Sequence, residues 1–321
     1  MPPDQPEPAP MTTTPAPPAK RPRLGPGARR GVLLMFVSTI GFSAMHAGIR
    51  HLSAELHPFE IGFFRNVFGL LVVLPFFLRH GLGTLRTGRI ALHGVRAAVN
   101  VFAMLTFFYA LSVTPLSQAS ALAFSAPIFA TVLAALVLGE VVRVRRWAAI
   151  AFGFAGTLVL IRPGFAEVGL GSILVLLSSM AWAVALLTIK ALSRTEPSVT
   201  IVTYMMLLMT PLSLVPALLV WQWPDGMQWL WLMAMAVLGT GGQWLMTQAL
   251  KEADTAVVMP FDFFKLIWAS ILGYAFFAEI PDQFTWLGGA MIFASALYIT
   301  LREARLRGTK PPAATAVPPG A

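Results

Sequence analysis

Residues Ser125–Glu140, SAPIFATVLAALVLGE, meet a counterpart at Phe264–Glu279, FKLIWASILGYAFFAE, 139 positions further on. The match runs without a gap from 95–160 onto 234–299: Tyr109-Ala110-Leu111 falls on Gln248-Ala249-Leu250, and Trp147 on Trp286. Upstream, Pro58 falls on Pro197, and Ser38-Thr39 with Ile49-Arg50 falls on Ser178-Ser179 with Ile189-Lys190 at a shift of 140. The chain is therefore built as two copies of one unit, and the unit must be read before the whole.

Composition decides the solvent. Of 321 residues, 57% are hydrophobic and 12% charged, with a mean hydropathy of +0.73. Soluble domains carry about 25% charged residues, so this surface belongs in lipid, where only structures that satisfy their own backbone can span. A span needs roughly 20 apolar residues. The pattern predicts an all-α integral membrane protein with ten spans, near 32–50, 58–78, 95–111, 116–138, 146–162, 170–190, 198–220, 229–250, 255–278 and 284–301. Pro58, Pro115, Pro163-Gly164, Pro197, Pro224-Asp225-Gly226 and Pro281 punctuate the joints. The absence of cysteine excludes a disulfide framework, a thiolate metal site and a cysteine nucleophile.

The net charge of +9 is concentrated beside the spans, so it reads as a topology signal and not as a nucleic-acid surface. With the N-terminus in the cytoplasm, 18 of the 23 Lys and Arg residues lie inside. Both termini are then cytoplasmic. Residues 1–30 and 303–321, rich in Pro, Ala and basic residues, are expected to be disordered tails. No apolar stretch precedes residue 31, so no cleavable signal peptide is expected. The two copies, 31–162 and 170–302, hold five helices each. An odd number inverts the second copy in the membrane, and inverted repeats give related conformations open to opposite sides, the basis of alternating access. Trp221, Trp223, Trp229 and Trp231 read as an outer interfacial belt.

Deep polar groups are the candidate site. Lys265 lies near the middle of the ninth span, Asp262 three residues earlier on the same face, and Pro260 removes a backbone donor beside them. A Lys at a helix centre costs about 2.5–3.5 kcal/mol on insertion scales. In the repeat Lys265 falls on Ala126, Asp262 on Ala123, Arg65 on Tyr204, His46 on Leu186 and Asn100 on Gly239. The scaffold is duplicated while these groups are not, which points to substrate or coupling. Arg65 suits a carboxylate or phosphate, or else snorkels or pairs with Glu60. His46 suits a proton shuttle, or else is a hydrogen-bonded core histidine. Asn100 and Gln243 suit ligand hydrogen bonds, or else tie helices together. Phe261, Phe264 and Trp268 offer apolar contact, including to a ring. Glu140 and Glu279, at helix ends, read as interfacial structure, and Arg96, near the cytoplasmic mouth, reads as snorkelled. No H-E-x-x-H, G-x-S-x-G or P-loop pattern is present.

The stretches PFEIGFFR (58–65), ALSVTP (110–115), Ser125–Glu140 and Trp147 through Gly156, with ALKEADT (249–255), Asp262–Glu279 and Trp286 through Ser295, resemble two copies of the EamA domain. The resemblance spans about 31–302 and points to the drug/metabolite transporter superfamily, within a bacterial branch that includes riboflavin and S-adenosylmethionine importers. It implies ten helices in inverted repeats and solute transport through a central cavity. One departure is Ala278-Glu279, where the usual Gly-Glu is kept only at Gly139-Glu140. The expectation is a secondary transporter of the bacterial inner membrane moving a small polar organic metabolite, amino-acid-like, vitamin-like or of mixed charge. Arg65 and Lys265 would engage an acidic group; Asp262 would take an ammonium or proton, with His46 a further coupling candidate. The alternatives are a broad exporter of amphiphiles or amino acids and an intramembrane enzyme. No cofactor or metal is expected. The expected partners are the metabolite and membrane lipids, not nucleic acid, and a homodimer is admissible.

Overall fold

A computed structural model describes residues 26–80, 87–138, 144–163, 169–193, 195–253 and 255–308. They form helices α1 (Pro26–Leu52), α2 (Pro58–His80), α3 (Ile90–Val113), α4 (Leu116–Ala123), α5 (Ala126–Leu138), α6 (Val144–Ile161), α7 (Leu170–Leu192), α8 (Ser198–Leu218), α9 (Gly226–Glu252), α10 (Thr255–Val258), α11 (Phe264–Phe277) and α12 (Gln283–Gly308). No strand occurs among the described residues. Among the described residues eight helical segments are long and apolar enough to cross a membrane. Large apolar side chains such as Leu136, Leu219 and Phe276 stand exposed on the outside, as lipid-facing residues do. The chain is an all-helical, multi-pass integral membrane protein.

Two expected spans, α2 and α9, are not among the eight. The side chains of α2 are described only as far as Val72. In α9, Gly239, Gly241, Gly242, Gln243 and Gln248 dilute the apolar run. The helices at either end also start earlier and stop later than the hydropathy suggested. Residues 26–30 and 303–308, expected to be disordered, are helical. Pro26 fits the first turn, where its missing N–H costs nothing, and Arg30 reaches Glu252 at 3.4 Å.

Local signals set the ends. Asp225 caps α9 in a reciprocal box: its carboxylate accepts from the Gln228 amide at 2.8 Å while Gln228 Oε1 accepts from the Asp225 amide at 3.0 Å. Asp282 caps α12, accepting from the Thr285 amide at 2.8 Å and its hydroxyl at 2.7 Å. Burial pushes the Asp282 carboxyl up, but the Thr285 bonds and Arg162, 2.6 Å away, outweigh it and hold the group below the usual carboxylate range. Ala278 ends α11 in the left-handed region, φ 53° and ψ 29°. The amides of Ala278 and Glu279 close back onto the carbonyls of Tyr274 and Gly273, each at 3.1 Å. A glycine takes this conformation without strain, which explains why Gly-Glu is usual here.

Packing follows the sequence repeat. α1 lies along α9 as α3 lies along α7, and α2 meets α9 as α8 meets α3. Small residues let backbones touch, as lipid-embedded helices require. A Cβ on Gly156 in α6 would stand 2.9 Å from the Gly288 carbonyl oxygen in α12, and one on Gly288 would stand 2.6 Å from that of Gly156. At the counterpart positions of this same crossing, the Ser295 hydroxyl donates to the Ala149 carbonyl at 2.6 Å.

Because Gly156 is closed in by α12 backbone, Gly156→Leu should lower stability by about 2 kcal/mol. Thermal unfolding in detergent checks this, with the exposed Phe154→Leu as the neutral control.

Candidate functional site

Two helices on the repeat relation are broken in their apolar stretch. Between α4 and α5 the chain turns at Phe124-Ser125, where Pro127 cannot donate to the carbonyl of Ala123. Between α10 and α11 it winds into a 3-10 turn over Met259–Phe263, the unwinding expected of Pro260. The sequence signalled only the second break. Phe124 and Phe263 are counterparts at a shift of 139. Their rings stack on each other, 6.2 Å between centroids and 28° between planes.

The second break carries the charge. Lys265 Nζ stands 2.6 Å from Asp262 Oδ1, and both side chains are partly accessible. The ammonium also lies 4.8 Å from the Phe42 ring of α1. The Ser43 hydroxyl donates to the Lys265 carbonyl at 3.2 Å, tying α1 to the first turn of α11. Aromatic rings wall the site. Phe261 stacks on Phe264 at 6.1 Å, and Phe36 meets Phe264 and Trp268 edge-on at 5.0 and 5.6 Å. The indole N–H of Trp268 has no hydrogen-bond partner.

Arg65 approaches from α2. It does not pair with Glu60, whose buried carboxylate accepts from the Gln222 amide at 2.5 Å. Its Nη1 donates to Asn66 Oδ1 at 3.3 Å and reaches Met104 Sδ at 3.8 Å, while Nε has no hydrogen-bond partner. The guanidinium lies against Gly239, where a Cβ would stand 3.3 Å from Nη2 and 2.4 Å from the Sδ of Met45. His46 stands one residue after Met45, within the electrostatic reach of both Lys265 and Arg65, with its ring edge-on to Phe107 at 5.1 Å. Arg65, His46, Asp262 and Lys265 are all partly accessible despite their depth.

The remaining sequence candidates stand differently. Asn100 is buried in α3 with both amide atoms unpartnered. Gln243 is exposed on α9. Trp221 and Trp229 pack on Phe63, Phe64 and Phe68 of α2, while Trp223 and Trp231 are exposed. Arg96 does not snorkel; it is 5% exposed. Glu140 lies outside the described residues.

Glu279, interfacial by its sequence position, is the centre of a charged joint. Arg50 at the end of α1 forms an ion pair with Glu279 beyond α11. It also donates to the carbonyls of Leu111, at 3.0 Å, and Thr114, while Glu279 Oε2 accepts from the Leu116 amide at 2.9 Å. One pair thus joins α1, α11 and the α3–α4 joint. The signal was in the sequence: the counterparts of Arg50 and Glu279 are Lys190 and Glu140, so charge is kept in both copies.

The family model of EamA-like transporters matches the chain twice, over residues 29–162 and 169–301. A riboflavin transporter of Vibrio cholerae is 31% identical, covering 86% of this chain and 94% of that one. An S-adenosylmethionine uptake transporter of Rickettsia felis is 28% identical, covering 87% and 95%. A pseudopaline exporter of Pseudomonas aeruginosa is 28% identical, covering 85% and 96%. A solved crystal structure shares the fold with a TM-score of 0.57 at 21% identity, covering 87% of this chain and 99% of that one.

For the Arg50–Glu279 pair, Arg50→Met and Glu279→Met should each cost about 2 kcal/mol by stranding the partner. The double variant should cost clearly less than the sum. Thermal unfolding of the four proteins measures the coupling.

Proposed function

We propose that this chain, which belongs to the EamA-like transporter family, carries a small organic solute of mixed charge through the bacterial inner membrane by alternating access between two inverted five-helix repeats. Family membership makes it a transporter of small metabolites and not an enzyme. The observation that carries the substrate reading is the Lys265–Asp262 pair at the broken helix, with Arg65 and His46 in the same field. Such charges are costly at this depth, and a well-packed apolar pair would fill the space without that cost.

In this reading Arg65 and Lys265 hold the acidic group of the solute. Asp262 holds an ammonium or takes a proton, with His46 of α1 a further coupling candidate. Phe261, Phe264 and Trp268, with Phe36 and Phe42, offer faces and edges for a ring. Asn100 and Gln243 supply hydrogen bonds as the path opens. A ring joined to a zwitterion satisfies all of these at once, and S-adenosylmethionine has that chemistry. Riboflavin supplies the ring without the zwitterion. The pseudopaline exporter among the relatives favours keeping export as the second reading.

The packing supports the inverted layout. The helix pairs α1–α9 and α3–α7 exchange under the repeat relation, and α6–α12 and α2–α8 map onto themselves, the pattern of a two-fold axis in the membrane. The Phe124–Phe263 stack and the Gly156–Gly288 and Ala149–Ser295 contacts repeat that pattern at single residues. Ten spans with both termini cytoplasmic complete the reading, with lipid around the exposed apolar faces.

The test is thermal unfolding of the purified protein with S-adenosylmethionine or riboflavin, followed by uptake into liposomes. A ligand at a hundredfold excess over its dissociation constant stabilises the fold by about 2.7 kcal/mol. We expect that gain to vanish in Arg65→Ala and Lys265→Ala, and Asp262→Asn to abolish pH-driven accumulation. A gain indifferent to both substitutions removes the site. Topology is tested separately. The natural chain has no cysteine, so single cysteines need no altered background. Ser53→Cys and Gln222→Cys should react with an impermeant maleimide from outside the cell, and Arg89→Cys and Thr195→Cys only after lysis. The reverse pattern overturns the orientation.

A further inference from the structure

Arg65 has a place in the proposed pathway; a second buried guanidinium has none. Arg96, in α3, is 5% exposed. Its Nη1 donates to the Ile201 carbonyl of α8 at 2.8 Å, and Nη2 reaches Met205 Sδ at 3.2 Å. Its Nε has no hydrogen-bond partner, and among the described residues no carboxylate forms an ion pair with it. A buried cation without an anion is expensive, and an apolar side chain would fill the space without that cost.

Its neighbours are short of partners too. His93 precedes Arg96 by three residues and Asn100 follows by four, so the three share one face of α3. His93 and Asn100 are each 1% exposed. Neither ring nitrogen of His93 and neither amide atom of Asn100 has a hydrogen-bond partner. The His93 ring stacks on Tyr204 of α8 at 4.6 Å. Glu196, whose charge reaches His93, accepts from the Thr87 hydroxyl at 2.7 Å. A guanidinium N–H, an imidazole N–H and an amide NH2 therefore line one helix face with their donor capacity unspent, the donor set that an oxyanion satisfies.

The location has a counterpart. Arg65 falls on Tyr204 and Gly239 on Asn100 in the repeat. Arg65 lies against Gly239 between α2 and α9; the corresponding helix pair is α8 and α3, where Tyr204, the counterpart of Arg65, stacks on His93, about two turns before Asn100, and Arg96 donates to Ile201. In the proposed topology Arg65 is about two turns into its span from one face of the membrane, and Arg96 stands at the start of its own span, near the other face.

We propose that His93, Arg96 and Asn100 form a second recognition station for a carboxylate or phosphate group of the solute, on the cytoplasmic half of the path. The inference rests on the transport reading above. The acidic group leaves one guanidinium for the other as the path changes sides, so the cargo is an organic anion or zwitterion. The station is shut in the conformation described here and opens when α3 and α8 part. An anionic lipid headgroup offers the same oxyanion, but burial to 5% or less faces these groups away from lipid.

The test needs no transport. The full-length protein in a neutral detergent is unfolded thermally with benzoate or inorganic phosphate, in an Arg65→Met background that also carries Lys265→Met, so that both cations proposed for the first site are gone. We expect both anions to raise the melting temperature there. The rise should disappear on adding Arg96→Met, and Asn100→Leu should require about tenfold more anion for the same rise. Arg96→Met alone should melt higher than the natural protein in anion-free buffer, because it relieves an unpaired charge. The inference is overturned by no anion effect in that background, by an effect that survives Arg96→Met, by an effect seen only with added phosphatidylglycerol, or by an Arg96→Met protein that melts lower or fails to fold. Absence of metabolite uptake, with these shifts intact, would overturn only the transport reading.

Discussion

Inside a bilayer every backbone N–H and C=O must find its partner within the protein. That constraint makes the described residues helical and makes each departure from a helix informative. The chain breaks its helices at Phe124-Ser125 and over Met259–Phe263. Both breaks lie in the interior, ring against ring. At the second, the Ser43 hydroxyl takes up the Lys265 carbonyl. That bond ties α1 to the first turn of α11, beside the lysine, its aspartate and the aromatic rings.

The helical fold was readable because two independent signals agreed. Long apolar runs set the spans, and the gapless self-match of 95–160 onto 234–299 set their grouping. Proline at 260 marked one break, since a missing donor is visible in a sequence. The break at Phe124 was not visible, because its counterpart position to Pro260 is Ala121 and the disruption comes from Pro127, downstream of the turn. Hydropathy also undercounted the helix at Pro26 and beyond Arg302, since a helix that has left the membrane no longer needs apolar residues.

The site was legible in part, and for a related reason. Lys265 and Asp262 sit three apart on one helix, so their pairing follows from local geometry. Arg65 and His46 depend on how α1, α2 and α9 assemble, which spacing does not reveal; Gly239 leaves the room that the guanidinium occupies. For the tryptophans near the α8–α9 joint the sequence showed the position but not the contacts, in which Trp221 and Trp229 fold back onto α2. The same holds for Arg96: a cation near a helix end reads as snorkelled until the neighbouring helix is seen to cover it.

The stack of Phe124 on Phe263 sets a residue against its own duplicate. Before duplication, such a contact would have required two identical subunits, and a single codon change would have altered both rings together. Fusion into one chain removed that coupling. Each half then became free to acquire a charge that its twin lacks, as Lys265 opposite Ala126 and Asp262 opposite Ala123 show. An asymmetric arrangement of charge beside such a contact is accessible to a fused gene and closed to a symmetric pair.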